Sequence, residues 1–159
     1  MKTYIGIDVG AKGYIAVFKD GEWQYFPLLS SNPLDITDYL RQFAISECIC
    51  VIEDVRAIHG SGATATFNFG YGKGILIGIL TALAIPYTQV APKKWQKEMW
   101  DNTDKVNSGG KIDTKKTSIN CAKRLFPHID FRRTEKCKNV DDNKVDATLL
   151  CEYGRRLNL

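Results

Sequence analysis

The chain has 159 residues, 44% of them hydrophobic and 25% charged, with a formal net charge of +4. That length builds one sizeable core and excludes two ordinary domains, so residues 1–159 are read as a single domain. The longest apolar stretch, Gly74–Ile85, is too short to cross a bilayer, and no N-terminal run has the pattern of a secretory signal, so a soluble, cytoplasmic protein with no membrane partner is expected.

Taken in chain order, Tyr4–Asp8 is a short apolar strand, Val9–Gly13 a turn, Tyr14–Phe18 a second strand, and Trp23–Leu28 a third beyond the Asp20-Gly21 turn. This pattern predicts an antiparallel meander. Asn32-Pro33 interrupts the chain, after which Ile36, Tyr39, Leu40 and Phe43 recur at helical spacing. Cys48–Val55 is a continuous apolar run carrying Glu53 and Asp54 near its end, the signature of a buried strand. A Gly/Ser/Thr-rich passage, His59–Thr66, leads into a helix predicted from about Phe67 to Ala84, and Tyr87–Val90 is a fourth core strand.

Pro92 suits the first turn of a short helix carrying Lys93, Lys94, Trp95 and Lys97. Residues 101–112 are polar and contain Gly109-Gly110, which predicts a mobile loop. Ile119, Ala122 and Leu125 mark a helix ending before Pro127, and the last helix starts near Asp141 or Asp142 and runs through Val145, Leu149 and Tyr153. The whole reads as α/β: a mixed sheet, antiparallel meander first and parallel strands after, with helices on its faces. The five cysteines are odd in number and in no zinc-like spacing, so they are expected to be free thiols.

Charge is unevenly distributed. Ala91–Lys138 holds thirteen Lys and Arg against six Asp and Glu, a net +7, while the rest of the chain, nine against twelve, is −3. A basic region beside an acidic remainder suits a protein that grips phosphate with one part and holds a cation with another. A solvated surface has the same composition, so charge alone does not decide.

The acids are more specific. Asp8 ends the first strand among apolar neighbours, and no Lys or Arg lies between it and Lys12. A buried carboxylate needs a partner, and a metal ion supplies one, although an Asx turn into Gly10 would also explain an aspartate there. Glu53 and Asp54 point to opposite faces of their strand, so only one can join Asp8, and spacing does not choose between them. Asp142 and Asp146 are four apart and share a helix face, a repulsive arrangement unless a cation lies between them. Asp142 could alternatively cap the helix; Asp146, a turn further in, has no such role. Three segments thus bring carboxylates into apolar settings, as a cage for Mg2+ or Mn2+ requires.

The segments Gly6-Ile7-Asp8-Val9-Gly10, Val51-Ile52-Glu53-Asp54-Val55 and Val145-Asp146-Ala147-Thr148-Leu149-Leu150 resemble those of the RuvC-like Holliday-junction resolvases of bacteria and their phages. The resemblance spans nearly the whole chain, with further marks at Phe67-Asn68-Phe69-Gly70, Ala91-Pro92-Lys93-Lys94-Trp95, Lys115–Ser118 and Leu125-Phe126-Pro127. It implies a ribonuclease-H-like nuclease domain that cleaves four-way DNA junctions with two metal ions and no nucleotide cofactor. Asp8 would bridge both ions, Glu53 would bind one, and Asp142 with Asp146 the other. Many bacterial members space the last two acids three apart, where this chain has Asn143, so Asp142 has Asp141 as its rival. The resemblance also implies a lysine beside the scissile phosphate, Lys115 or its neighbour Lys116, and aromatic contacts near the junction centre from Phe67 and Phe69. Lys93 and Lys94 would meet DNA phosphates.

A homodimer is expected on two grounds. Gly70, Gly72, Gly74 and Gly78 interrupt an otherwise apolar helix, which suits either close packing on its own sheet or a shared interface, and the resemblance implies the interface; a near two-fold junction also calls for two copies of one active site. The alternatives are a junction-binding module of the same fold that has lost cleavage, and a nuclease acting on other branched nucleic acids. Actin-like kinases share the opening Asp-Xaa-Gly strand-turn-strand but need two such domains around their nucleotide.

Overall fold

The computed structural model describes residues 2–44, 46–55 and 62–159. β1 (Thr3–Ile7), β2 (Tyr14–Lys19) and β3 (Glu22–Pro27) form the antiparallel meander. Its β2–β3 reversal is made by Asp20 and Gly21, with φ of 53° and 88°. This is the left-handed pair that a tight hairpin turn demands and that Asp-Gly adopts at low cost. β4 (Cys48–Glu53) and β5 (Tyr87–Val90) add in parallel beyond β1, giving the order β3-β2-β1-β4-β5. The expected mixed sheet is therefore present.

Helices cover both faces, and strand alternation decides which residues meet which helices. Ile5, Ile7, Cys50 and Ile52 point into one core with α1 (Pro33–Arg41) and α2 (Ala63–Ala82). Val51 and Val90 point into the other, with α3 (Pro92–Met99), α4 (Thr114–Leu125) and α5 (Asp142–Leu157). α5 lies directly on β1: a Cβ at Gly6 would stand 2.2 Å from the Ala147 carbonyl oxygen and 2.3 Å from the Cys151 nitrogen, so only glycine admits the helix at that distance. α1 starts at the expected break, where Asn32 accepts from the backbone of Leu34 and Asp35 while Asp35 returns a bond to the Asn32 N–H.

Two segments differ from expectation. α2 begins at Ala63, four residues ahead of Phe67. Its first turn is solvent-exposed, so no hydrophobic period announces it. The earlier part of that Gly/Ser/Thr passage, through Ser61, lies outside the described residues. The stretch expected to be a loop, 101–112, instead holds a 3-10 turn, Asn102–Asp104, and a small hairpin of β6 (Asn107–Ser108) and β7 (Lys111–Ile112). Gly109 and Gly110 form its turn at φ 58° and 79°. The anchor is polar, which hid it: buried Asp104 accepts from Arg124 Nε at 2.9 Å and Nη2 at 2.6 Å. All five cysteines are free, and all but Cys137 are buried.

Candidate metal centre

The carboxylates gather where the C-terminal ends of β1 and β4 meet the start of α5. Asp8 follows β1 and, two residues after Gly6, shares its α5-facing side. Ile7 pairs with Ile52 in the parallel ladder, which sets Glu53 beside Asp8. Glu53 lies on the same side as Val51, under α3 and α5, while Asp54 turns away and accepts from Lys73 of α2 at 2.7 Å. The structure thus brings Glu53, not Asp54, to Asp8. Trp95 of α3 donates its indole N–H to Glu53 Oε1 at 2.9 Å.

At the head of α5, capping and clustering fall to different residues. Asp141, not Asp142, is the N-cap: it accepts from the Asn143 N–H and is held by Arg133 Nε at 2.6 Å. Asp142 is left free to pair with Lys115 Nζ at 2.6 Å. One turn later Asp146 is part-buried, and its Oδ1, itself buried, has no hydrogen-bond partner among the described residues. An orphaned carboxylate oxygen in the interior is costly and marks a place where a cation is wanted.

The electrostatics agree. Burial first, then the charge of Glu53, pushes the Asp8 carboxyl from the ordinary 3.8 up to about 7, against a backbone N–H from Gly10 that pulls the other way. Asp146 is raised well above its ordinary value by burial, then by Asp8 and Glu53, with the Ser118 hydroxyl opposing. Glu53 is raised by burial and lowered in part by Trp95 and Lys73. These acids feel one another and cannot all ionise cheaply without a positive partner. The donors are all hard oxygens, a set that fits Mg2+ or Mn2+. As placed, no three His, Cys, Asp or Glu side chains among the described residues stand close enough to hold one ion.

The remaining expected residues divide. Lys115 faces the acids, while Lys116 turns to Asp113, 3.5 Å away. Lys93 and Lys94 are exposed on α3, whose opposite side buries Trp95. Phe67 is 70% exposed and stacks on Tyr71 with centroids 6.2 Å apart. Phe69 instead packs against the α1–α2 core and lines a cavity of about 530 Å³ with Val9, Gly10, Gly72 and Ile75. Sequence reasoning gave no role to Trp95, Lys73 or Ser118. Trp95 and Ser118 each left a trace, within the marks at Ala91–Trp95 and Lys115–Ser118, and Ser118 lies three residues after Lys115 and so on its helix face.

No family model and no curated protein matches the chain. Solved structures do. A structure described as "T. thermophilus RuvC in complex with Holliday junction substrate" aligns with a TM-score of 0.66 over 99% of this chain and 96% of that one, at 9% identity. The Thermus thermophilus RuvC structure aligns with a TM-score of 0.59 over 98% and 96%, at 12% identity. The chain has a RuvC-like ribonuclease H fold. At such identity the likeness extends to the fold alone, and the chemistry of the RuvC-like frame has to be argued from the side chains that this chain places on it.

Proposed function

We propose that this chain is a metal-dependent endodeoxyribonuclease that resolves four-way (Holliday) DNA junctions, working as a homodimer. The observation that carries the reading is the convergence of Asp8, Glu53, Asp142 and Asp146 from three distant segments, with one buried carboxylate oxygen left unpartnered. Those four residues would hold two Mg2+ or Mn2+ ions, once their side chains draw together and Lys115 leaves Asp142. Two such ions, when bound, supply an activated water and stabilise the departing oxygen in phosphodiester hydrolysis.

The chain's own contributions follow from position. Lys115 stands at the mouth of the cluster with its side chain 74% exposed, free to swing from Asp142 to a phosphate and counter charge developing there. Lys93 and Lys94 offer phosphate contacts one helix away, and exposed Phe67 offers a ring on which an unstacked base can rest.

The dimer reading rests on α2. A Cβ built at Gly70, Gly72, Gly74 or Gly78 meets nothing within 4 Å among the described residues, so packing against those residues does not explain these glycines. Gly70, Gly74 and Gly78 fall at four-residue intervals on the exposed side, in line with exposed Tyr71. A smooth stripe of that kind lets a second helix approach closely.

The test is nicking of a synthetic four-way junction, beside duplex, single-stranded and flap controls, with Mg2+ and with excess EDTA. Paired cuts in opposing strands that need metal and vanish in Asp146→Asn, with junction binding kept, are expected. Robust cleavage in EDTA, or a near-native rate in Asp146→Asn, rules the reading out. Binding without cleavage under all metal conditions assigns the chain to the non-catalytic junction-binding alternative, and equal cutting of flaps broadens the substrate class.

A further inference from the structure

Trp95 is wholly buried, yet it spends its only polar group on an acid of the candidate metal centre: its indole N–H donates to Glu53 Oε1 at 2.9 Å. Apolar packing alone does not call for that bond, because packing in the core of Val51, Met99 and Leu149 uses the faces of the ring and not its N–H. The donor's chemistry is informative. A lysine or arginine in its place would neutralise Glu53, whereas an indole is neutral, donates only, and fixes one oxygen without cancelling the charge. Glu53, the last residue of β4, has no helix to orient it; Asp8, just past β1, has none either but takes a backbone bond from the Gly10 N–H. The α3 helix that supplies the indole is held from its first turn by Pro92 and exposes Lys93 and Lys94 on its outer side.

We propose that Trp95 is a positioning residue: it clamps Glu53 through Oε1, so that the glutamate presents Oε2 to the metal in one orientation. The inference rests on the metal-site reading above and adds to it a determinant outside the acids. Hydrogen-bonded partners of metal ligands contribute about 10–100-fold to metal affinity.

The experiment is a Mn2+ titration of the full chain, read by electron paramagnetic resonance of free Mn2+ with no DNA and no turnover. Trp95→Phe keeps an aromatic side chain, though a smaller one, and loses the N–H; it is expected to bind Mn2+ at least tenfold more weakly while melting as one cooperative unit. Glu53→Gln is also weakened, and adding Trp95→Phe to it should cost nothing more, because the clamp then has no ligand to hold. Affinity losses that multiply across the two substitutions would make Trp95 a packing residue only and overturn the clamp, as would native affinity in Trp95→Phe. A wild-type chain that binds no Mn2+ removes the metal site itself, an outcome distinct from failure of the clamp. The unmodified protein supplies a check independent of variant folding. The indole N–H resonance of Trp95 should shift on Mg2+ addition, and no movement at saturating Mg2+ counts against the proposal.

Discussion

Asp8→Asn tests the electrostatics of the cluster without reference to catalysis. The substitution removes a charge and keeps an oxygen for the Gly10 N–H. In metal-free protein the Asp8 carboxyl is raised from the ordinary 3.8 to about 7. Between those values the native state binds more protons than the unfolded chain. Stability is therefore fully present below about pH 4, falls as pH rises, and is fully lost once the folded-state value near 7 is passed. Three decades of shift at about 1.4 kcal/mol each correspond to roughly 4 kcal/mol, as an upper figure because Glu53 and Asp146 titrate with Asp8. In EDTA at about pH 8, Asp8→Asn should then be more stable than wild type by roughly 2–4 kcal/mol, or about 4–15 °C in Tm for a chain of this length. Near pH 4 the two should melt together. Mg2+ should close most of that gap, since wild type gains about 2.7 kcal/mol at a hundredfold excess over Kd and the variant far less. Circular-dichroism melts across pH, with and without Mg2+, read all of this. An Asp8→Asn chain less stable than wild type at pH 8 in EDTA, or a stability gap independent of pH, refutes the buried-acid argument.

Lys115→Ala should lower kcat by about 10²–10³ while leaving junction affinity within a few-fold, because its target is charge formed during cleavage; loss confined to binding would move Lys115 to the general phosphate surface. Junction affinity should fall steeply with salt, and Lys93→Ala with Lys94→Ala should each flatten the log–log slope by about 0.9 if each meets one phosphate, measured by fluorescence anisotropy. A wild-type profile without salt dependence would exclude the +7 segment from the interface. Gly70, Gly74 and Gly78 should each raise monomer stability by about 0.5–1 kcal/mol when changed to alanine, since no atom blocks the added methyl, while sedimentation shows a weakened dimer. Monomeric wild type at micromolar concentration, alone and on junction DNA, sinks the dimer and leaves the nuclease reading standing.

Much of the fold was legible because its signals are local. Asp20-Gly21 announces the β2–β3 turn, Asn32-Pro33 the start of α1, and the apolar run at Cys48 a doubly covered strand. Legibility failed where stabilisation is polar or absent. Nothing apolar marks the first turn of α2, and the 3-10 turn before the β6–β7 hairpin is anchored by Asp104 and Arg124, twenty residues apart. Such an ion pair has no period for sequence reading to detect.

The site shows the same division at finer grain. That Asp8, Asp146 and an acid near position 53 belong together could be read from three apolar settings, but the choice of Glu53 over Asp54 could not, since both flanks of β4 are hydrophobic and conceal which face lies under α5. The clue was present in β1: Gly6 is the residue that lets α5 touch the sheet, and Asp8 and Val51 follow from it by alternation and register. The Asp141–Asp142 choice gains a structural distinction of the same kind: Asp141 is bonded to the Asn143 N–H and to Arg133, while Asp142 pairs with Lys115. Trp95 is the harder case. Its partner lies 42 residues away, and the bond depends on where α3 crosses the end of β4, which no spacing rule contains. Acids that could hold a metal are thus a property of composition and strand ends, whereas the neutral donor that orients one of them is a property of tertiary packing alone.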